Sequence, residues 1–284
     1  MVKGILITVA VLVFSAVIIG LIGQAREASK AKQMTTALTQ YVTQRVGGIV
    51  DFEAFSELPP PVARYFRYVL TNGQKFIRVA KIHQSGVLRT STRTENWLPF
   101  TATQLVVPPA VGFVWNAKVK TPLGTHIRVL DSYTAGVGAS RVSLSSTFAM
   151  ASTTGVPELN SGALHRYLAE AVWFPTALLP QCGVVWHPID DRSALATLTD
   201  RGTTVCLTFQ FSEVGTVEGV YSNGRFGNFD GEYKQVPWQG CFRDYQVQAG
   251  MRVPSYGEVG WYDNGTLQLV WKGHIMNAQY ELEA

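Results

Sequence analysis

The sequence lacks the features that usually mark a catalyst. Its three cysteines, Cys182, Cys206 and Cys241, stand far apart, and no C-x-x-C pair exists. Thiolate zinc sites and thioredoxin-type redox chemistry therefore have no support. There is no G-x-S-x-G, the turn that carries a hydrolase serine. The five histidines, His83, His126, His165, His187 and His274, show neither H-x-x-x-H nor H-E-x-x-H spacing, so a helical zinc site is not indicated. Charge is sparse at 15% of residues, with a net of +4. No concentrated basic patch marks nucleic acid as a partner. No internal repeat or low-complexity linker interrupts the chain. The expectation from these absences is no metal, no cofactor and no nucleic acid. The cysteines leave two readings open: one disulfide with a free thiol, or three free thiols behaving as small hydrophobes.

What the chain does have is an uncharged run at its start, Gly4 to Gly23, GILITVAVLVFSAVIIGLIG. As a helix it is long enough to cross a bilayer core of about 30 Å. Lys3 and the small residues of Gly23-Gln24-Ala25 would also suit a cleaved signal peptide, but the run is longer than a signal core. The retained anchor is the better reading. Arg26, Lys30 and Lys32 after the run outnumber Lys3 before it, which by basic count alone favours a cytoplasmic domain. The short basic tail before the run is a usual export signal, and the reading adopted is a single-pass membrane protein with an extracytoplasmic domain. The divisions are 1–25, a transmembrane anchor or uncleaved signal; 26–46, a helical stalk, solvated and stopped at Gly47-Gly48; and 47–284, a single β-rich globular domain.

Within that domain the periodicity changes three times. Pro59-Pro60-Pro61 sits where a helix begins, since proline is tolerated in the first turn. Val62, Tyr65, Phe66, Val69 and Leu70 then repeat at helical spacing until Asn72-Gly73. From Phe76 to about Phe148 the period is two, with valine, threonine and aromatics, as in consecutive antiparallel strands. Residues 158–180 return to helical spacing, with Leu164, Tyr167, Leu168, Ala171 and Val172 on one face and Pro175 ending or kinking the helix. Strands then resume, closing with a hairpin around Asn264-Gly265, a preferred type I′ pair. The fold class that satisfies this order is mainly β (α+β): a strongly curved antiparallel sheet, an open half-barrel with inserted helices, preceded by one N-terminal transmembrane helix.

The segments LPPPVARYFRYVL, NWLPFTATQ, PPAVGFVWNAKV, ELNSGALHRYLAEAVWFPTALLP, VVWHPIDDRSALATLTD and PWQGCFRDYQVQAGMRVPSYGEVGW, spread over residues 58–261, together resemble an uncharacterised family of bacterial and archaeal proteins, a domain of unknown function. LAEAVWFPTALLP is the most specific of them. The element order is also similar to that of lipoprotein-carrier and related lipid-binding half-barrels, a likeness of architecture without a shared motif.

The candidate ligand-binding residues are Trp115, Arg166, Glu170, Trp173, Arg252, Glu258 and Trp261. Arg166 and Glu170 are neighbours at i, i+4, and Trp173 follows at the cavity mouth that a half-barrel would offer. Arg252 and Glu258 flank a proline-containing turn and pair with each other, or with Glu170 and Arg166. Arg252 is also a candidate for an anionic headgroup. Asp190-Asp191 reads as a turn. The leading expectation is a membrane-anchored domain that binds an apolar or amphipathic, lipid-like ligand between sheet and helix. One alternative is a protein-interaction or structural module of the cell envelope with a filled core, its protein partners unknown. Another is an unrecognised hydrolase using Glu170 or Asp190.

Overall fold

The first meander of the sheet runs β1 (Ile77–Leu88), β2 (Leu98–Val107), β3 (Gly112–Lys120), β4 (His126–Thr134), β5 (Val137–Leu144) and β6 (Phe148–Thr154). The second runs β7 (Val184–Asp190), β8 (Ser193–Asp200), β9 (Thr203–Phe211), β10 (Val217–Phe229), β11 (Glu232–Gln248), β12 (Met251–Asp263) and β13 (Thr266–Leu282). Pairing of β1 with β13 joins the two into one 13-stranded antiparallel sheet that begins at β6 and ends at β7. The computed structural model describes residues 2–41, 48–92 and 94–283, with side chains for all of these except residues 2–13, 16, 17 and 123.

Strand alternation divides the side chains between two faces. On β3, Phe113, Trp115, Ala117 and Val119 are buried, while Asn116, Lys118 and Lys120 point the other way and are more exposed. The inner face of the sheet receives α3 (Pro157–Glu170), which connects the two meanders and packs against β4, β5, β9 and β10. Three 3-10 turns follow: Ala171–Trp173, Pro175–Leu178 and Pro180–Cys182. Pro175 and Pro180 each open a turn, because neither can continue an α-helix. The motif LAEAVWFPTALLP is thus the plug of the curved sheet: Leu168, Val172, Phe174, Thr176 and Leu178 are fully buried. Each large apolar side chain buried there contributes about 1.5–3 kcal/mol. The Thr176 hydroxyl oxygen accepts the Ile77 backbone N–H at 3.0 Å, fixing the plug to β1.

α2 (Pro60–Val69) starts at the proline run, and its expected face, Val62, Tyr65, Phe66 and Val69, is buried. Tyr65 packs on Phe211, and Phe66 meets Trp186 edge-on, so α2 closes the region beside β8 and β9. The last hairpin turns at Asn264 (φ 48°) and Gly265 (φ 78°), the two positive angles a type I′ turn needs. A side chain at Gly265 would be strained. Gly265→Ala is expected to cost about 1 kcal/mol, read as a lower urea midpoint with an unchanged m-value.

α1 (Val2–Thr39) departs from the expected solvated stalk. Leu38 is fully buried with Val107, Val114 and Leu130 on the outer face of β2, β3 and β4. Glu27 is also buried and accepts Arg141 Nε at 2.9 Å. The helix therefore lies along the convex side of the sheet. Among the described residues no helix is long and apolar enough to cross a membrane. The Gly4 to Gly23 run falls largely on residues 4–13, 16 and 17, outside those whose side chains are described, and residues 42–46 of the stalk lie outside the described residues altogether. None of Cys182, Cys206 and Cys241 is in a disulfide.

Candidate functional site

A cavity of about 250 Å³ lies between the concave face of the sheet and the helical plug. Four of the seven tryptophans line it: Trp115, Trp173, Trp238 and Trp271. Leu88, Phe242, Val259 and Val270 add apolar wall, and Arg89, Asp131, Arg166, Glu170 and Arg225 supply charge. A larger hollow, about 820 Å³, is an open groove between Gln24 and Ala28 of α1 and outward groups such as His83, Lys118 and Arg128. None of the candidate residues reaches it, and its lining is mostly polar. The smaller hollow is the one with the makings of a ligand site, an apolar wall with a few placed polar groups.

The polar groups form one directed chain. Trp115 Nε1 can only donate, and it donates to Gln84 Oε1 at 2.7 Å. That orients the Gln84 amide, whose Nε2 donates to Gln104 Oε1 at 3.0 Å. Gln104 Nε2 in turn donates to Glu170 Oε2 at 2.6 Å. The other Glu170 oxygen accepts Arg166 Nε at 2.8 Å. Arg166 continues through Nη1 to Asp131 Oδ2 at 3.1 Å, and Asp131 Oδ1 accepts the Ser140 hydroxyl at 2.7 Å. The Arg166 guanidinium also stacks over Trp115, 4.6 Å from the ring centre. Burial pulls the Arg166 pKa down, but Glu170 and Asp131 outweigh it and the net shift is upward. Both Glu170 oxygens are engaged by protein donors, Gln104 and Arg166, so the carboxyl group is held as part of the wall. That weighs against its use as the general acid of a hydrolase.

Arg225 is built differently. Its guanidinium stacks on Trp238 at 4.6 Å and on Trp261 at 5.2 Å. Nη2 donates to the Gly162 carbonyl at 3.1 Å, while Nε is buried without a partner. Among the described residues no carboxylate lies within ion-pair distance of it. Burial, followed by repulsion from Arg166, pulls its pKa down to about 10. Gly227 makes room for this stack, because a Cβ there would meet the Trp261 ring at 2.7 Å.

Of the seven candidates, the structure brings Trp115, Arg166, Glu170 and Trp173 into the cavity. Trp261 lines an adjoining hollow of about 230 Å³ that shares Asp131, Arg166 and Arg225. Arg252 and Glu258 are elsewhere. They lie on β12 facing outward, with no proline turn between them, because Pro254 is inside the strand. Arg252 donates to the Tyr68 carbonyl at 2.9 Å, holding the end of α2. Glu258 accepts the Tyr256 hydroxyl at 2.8 Å and faces Arg243 at 3.4 Å. The proposed pairing of these two with each other, or with Arg166 and Glu170, does not form. Asp190 and Asp191 sit at the β7–β8 turn, where Asp190 Oδ1 accepts the Arg192 N–H at 2.8 Å.

Sequence reasoning missed Arg225, Gln84, Gln104, Asp131, Trp238 and Trp271. Simple alternation from Ser222 places Arg225 outside, but the β10–β11 register shifts between Ser222 and Arg225. That bulge returns Arg225 to the inner face beside Trp238. The signal that could have found it is Asn223-Gly224, a loop-type pair inside a strand pattern.

Among curated proteins none matches the chain. Among solved structures it is similar to a LolA superfamily protein from Nitrosomonas europaea, at 7% identity and a TM-score of 0.42, over 83% of this chain and 96% of that one. It is also similar to a beta-barrel-like protein of the domain of unknown function DUF1849 from Brucella abortus, at 12% identity and a TM-score of 0.28, over 72% and 99% of the two chains. The profile of one family covers residues 48–273, from the start of the β-rich region to the middle of β13, and the chain belongs to that family of unknown function, DUF6544.

Proposed function

We propose that this protein is a ligand-binding domain that takes a small amphipathic molecule into the cavity between the curved sheet and the plug. The observation that carries the reading is the cavity wall itself: four tryptophans, with the Nε1 atoms of Trp173 and Trp238 buried and unpartnered. A filled structural core would satisfy those donors. The cavity volume is below the usual range for drug-sized ligands, about 300–1,000 Å³, so one short chain with one polar end suits it best.

The reading also places the protein on a membrane through Gly4 to Gly23, with the domain outside the cytoplasm. Exposed Phe14, Ile18, Ile19, Leu21 and Ile22 support an apolar surface on α1. Gly23 packs closely on Thr147 in the turn before β6, where Phe148 and Met150 are exposed as well. Orientation has a direct readout in Cys206, an exposed free thiol on β9. A membrane-impermeant maleimide added to intact cells or spheroplasts is expected to label it; labelling only after lysis would reverse the orientation.

The ligand test is native mass spectrometry of the full chain taken from its own membranes into nanodiscs. A stoichiometric small amphiphile released from the protein is the expected result. An empty protein with intact fold would move the reading to an interaction module, for which the exposed β6 edge is the available surface.

A further inference from the structure

The cavity's hydrogen-bond inventory is one-sided. Every carboxylate oxygen in it accepts a hydrogen bond from the protein: those of Glu170 from Gln104 and Arg166, those of Asp131 from Arg166 and Ser140. On the donor side, the Nε atoms of Arg225 and Arg89 and the Nε1 atoms of Trp173 and Trp238 are buried and have no acceptor. The site thus holds donors with no acceptor at all, whereas each of its carboxylate oxygens already accepts one bond from the protein. A ligand with a donating head, an amine for example, would leave those donors unmet. A ligand with acceptor oxygens would satisfy groups that are costly to leave unmet.

Charge points the same way. Three guanidinium groups, Arg89, Arg166 and Arg225, line the cavity against two carboxylates, Asp131 and Glu170. Arg166 is committed to both carboxylates. Arg89 has Glu95, but that side chain is 89% exposed and is screened by water. Arg225 has no carboxylate of its own among the described residues. Two indole rings and one backbone carbonyl hold it in place, with its remaining N–H groups uncommitted. A guanidinium fixed this way is preorganised for a planar oxyanion, which it can bind through two parallel N–H bonds.

We propose that the amphipathic ligand carries a carboxylate head, and that Arg225, seated between Trp238 and Trp261, is the residue that binds it. This rests on the amphipathic reading above and adds the chemistry of the polar end. The apolar tail then lies along Trp115, Trp173 and Trp271, and the Trp173 and Trp238 N–H groups turn toward the head.

The probes are hexanoate, hexan-1-ol and hexylamine, titrated against the full chain in nanodiscs with tryptophan fluorescence as readout and empty nanodiscs as blank. Wild type is expected to bind hexanoate at least tenfold more tightly than hexanol and to ignore hexylamine. Arg225→Met, which keeps the length and packing of the side chain, is expected to lose the tenfold preference for hexanoate over hexanol. Arg225→Lys is expected to retain part of it, since the charge remains and the fork does not. Equal affinity of wild type for hexanoate and hexanol would overturn the carboxylate assignment while leaving the amphipathic reading standing. An undiminished hexanoate preference in a folded Arg225→Met would overturn the role of Arg225. No response to any of the three would overturn both.

Discussion

Arg166→Met should destabilise the fold by about 3 kcal/mol, the largest effect expected of any single side chain in the cavity wall. The reason is what it leaves behind. Arg166 bridges Asp131 and Glu170, whose side chains are only 25% and 15% exposed. Removing one partner of a buried pair typically costs about 3–5 kcal/mol because the other charge is stranded. Here two charges are stranded, but partial contact with water places the effect at the lower end. Methionine can still pack on Trp115 and Phe113, so lost volume is not the main term. The measurement is the urea midpoint of Arg166→Met, with and without Glu170→Gln. The second change removes one stranded charge and keeps the acceptor that Gln104 needs, so the double variant should recover a substantial part of the loss. Strictly additive losses would show that packing, and not charge, sets the stability of this site.

His165 should give the fold a pH dependence of similar size. It is buried on α3, with Nδ1 directed at the Ser161 carbonyl at 3.0 Å. Burial, with Arg225 adding repulsion, lowers its pKa from 6.5 to about 4. A group whose folded pKa lies below its unfolded value takes up a proton more readily when unfolded. Stability from this residue is therefore complete above pH 6.5, falls as the pH drops toward 4, and levels off below. The full span corresponds to about 3 kcal/mol. Other groups titrate in the same window, so the informative quantity is the difference between wild type and His165→Gln, which keeps a donor for Ser161. Wild type should lose stability more steeply between pH 6.5 and 4. Parallel curves would mean that His165 is not held neutral. The same slope has a functional side, since a proton on His165 would add a positive charge close to Arg225.

Local patterns in the sequence carried much of this fold. The proline run and the i, i+3, i+4 spacing of Val62, Tyr65 and Phe66 gave α2, and Asn264-Gly265 gave the closing turn. Alternating segments and the apolar stretch around Trp173 gave a sheet with a helical plug, because each pattern depends on neighbours within a few residues. The β1–β13 pairing was not legible, since its partners are far apart in the chain and no local rule selects them. The docked face of α1 was missed because Leu38 and Glu27 look like ordinary stalk residues until the convex side of the sheet meets them. Four site residues, Trp115, Arg166, Glu170 and Trp173, do share one cavity. Arg252 and Glu258 were grouped with them by reading Pro254 as a turn; read as one strand, the alternation separates Glu258 from Trp261. Arg225 was hidden by a bulge, which changes the face of every residue after it.

The β1–β13 pairing also sets a clock. β1 is made early, pairs with β2 on one side, and waits on the other for the last strand of the chain. Roughly 180 residues must be translated between them, which at about 5–20 residues per second takes on the order of ten to forty seconds. Until then the nascent first meander presents an open edge through Ile77, Val79 and Ile82, the kind of template that invites misplaced pairing. Translation time therefore sets the least interval over which this edge must be shielded before the sheet is whole.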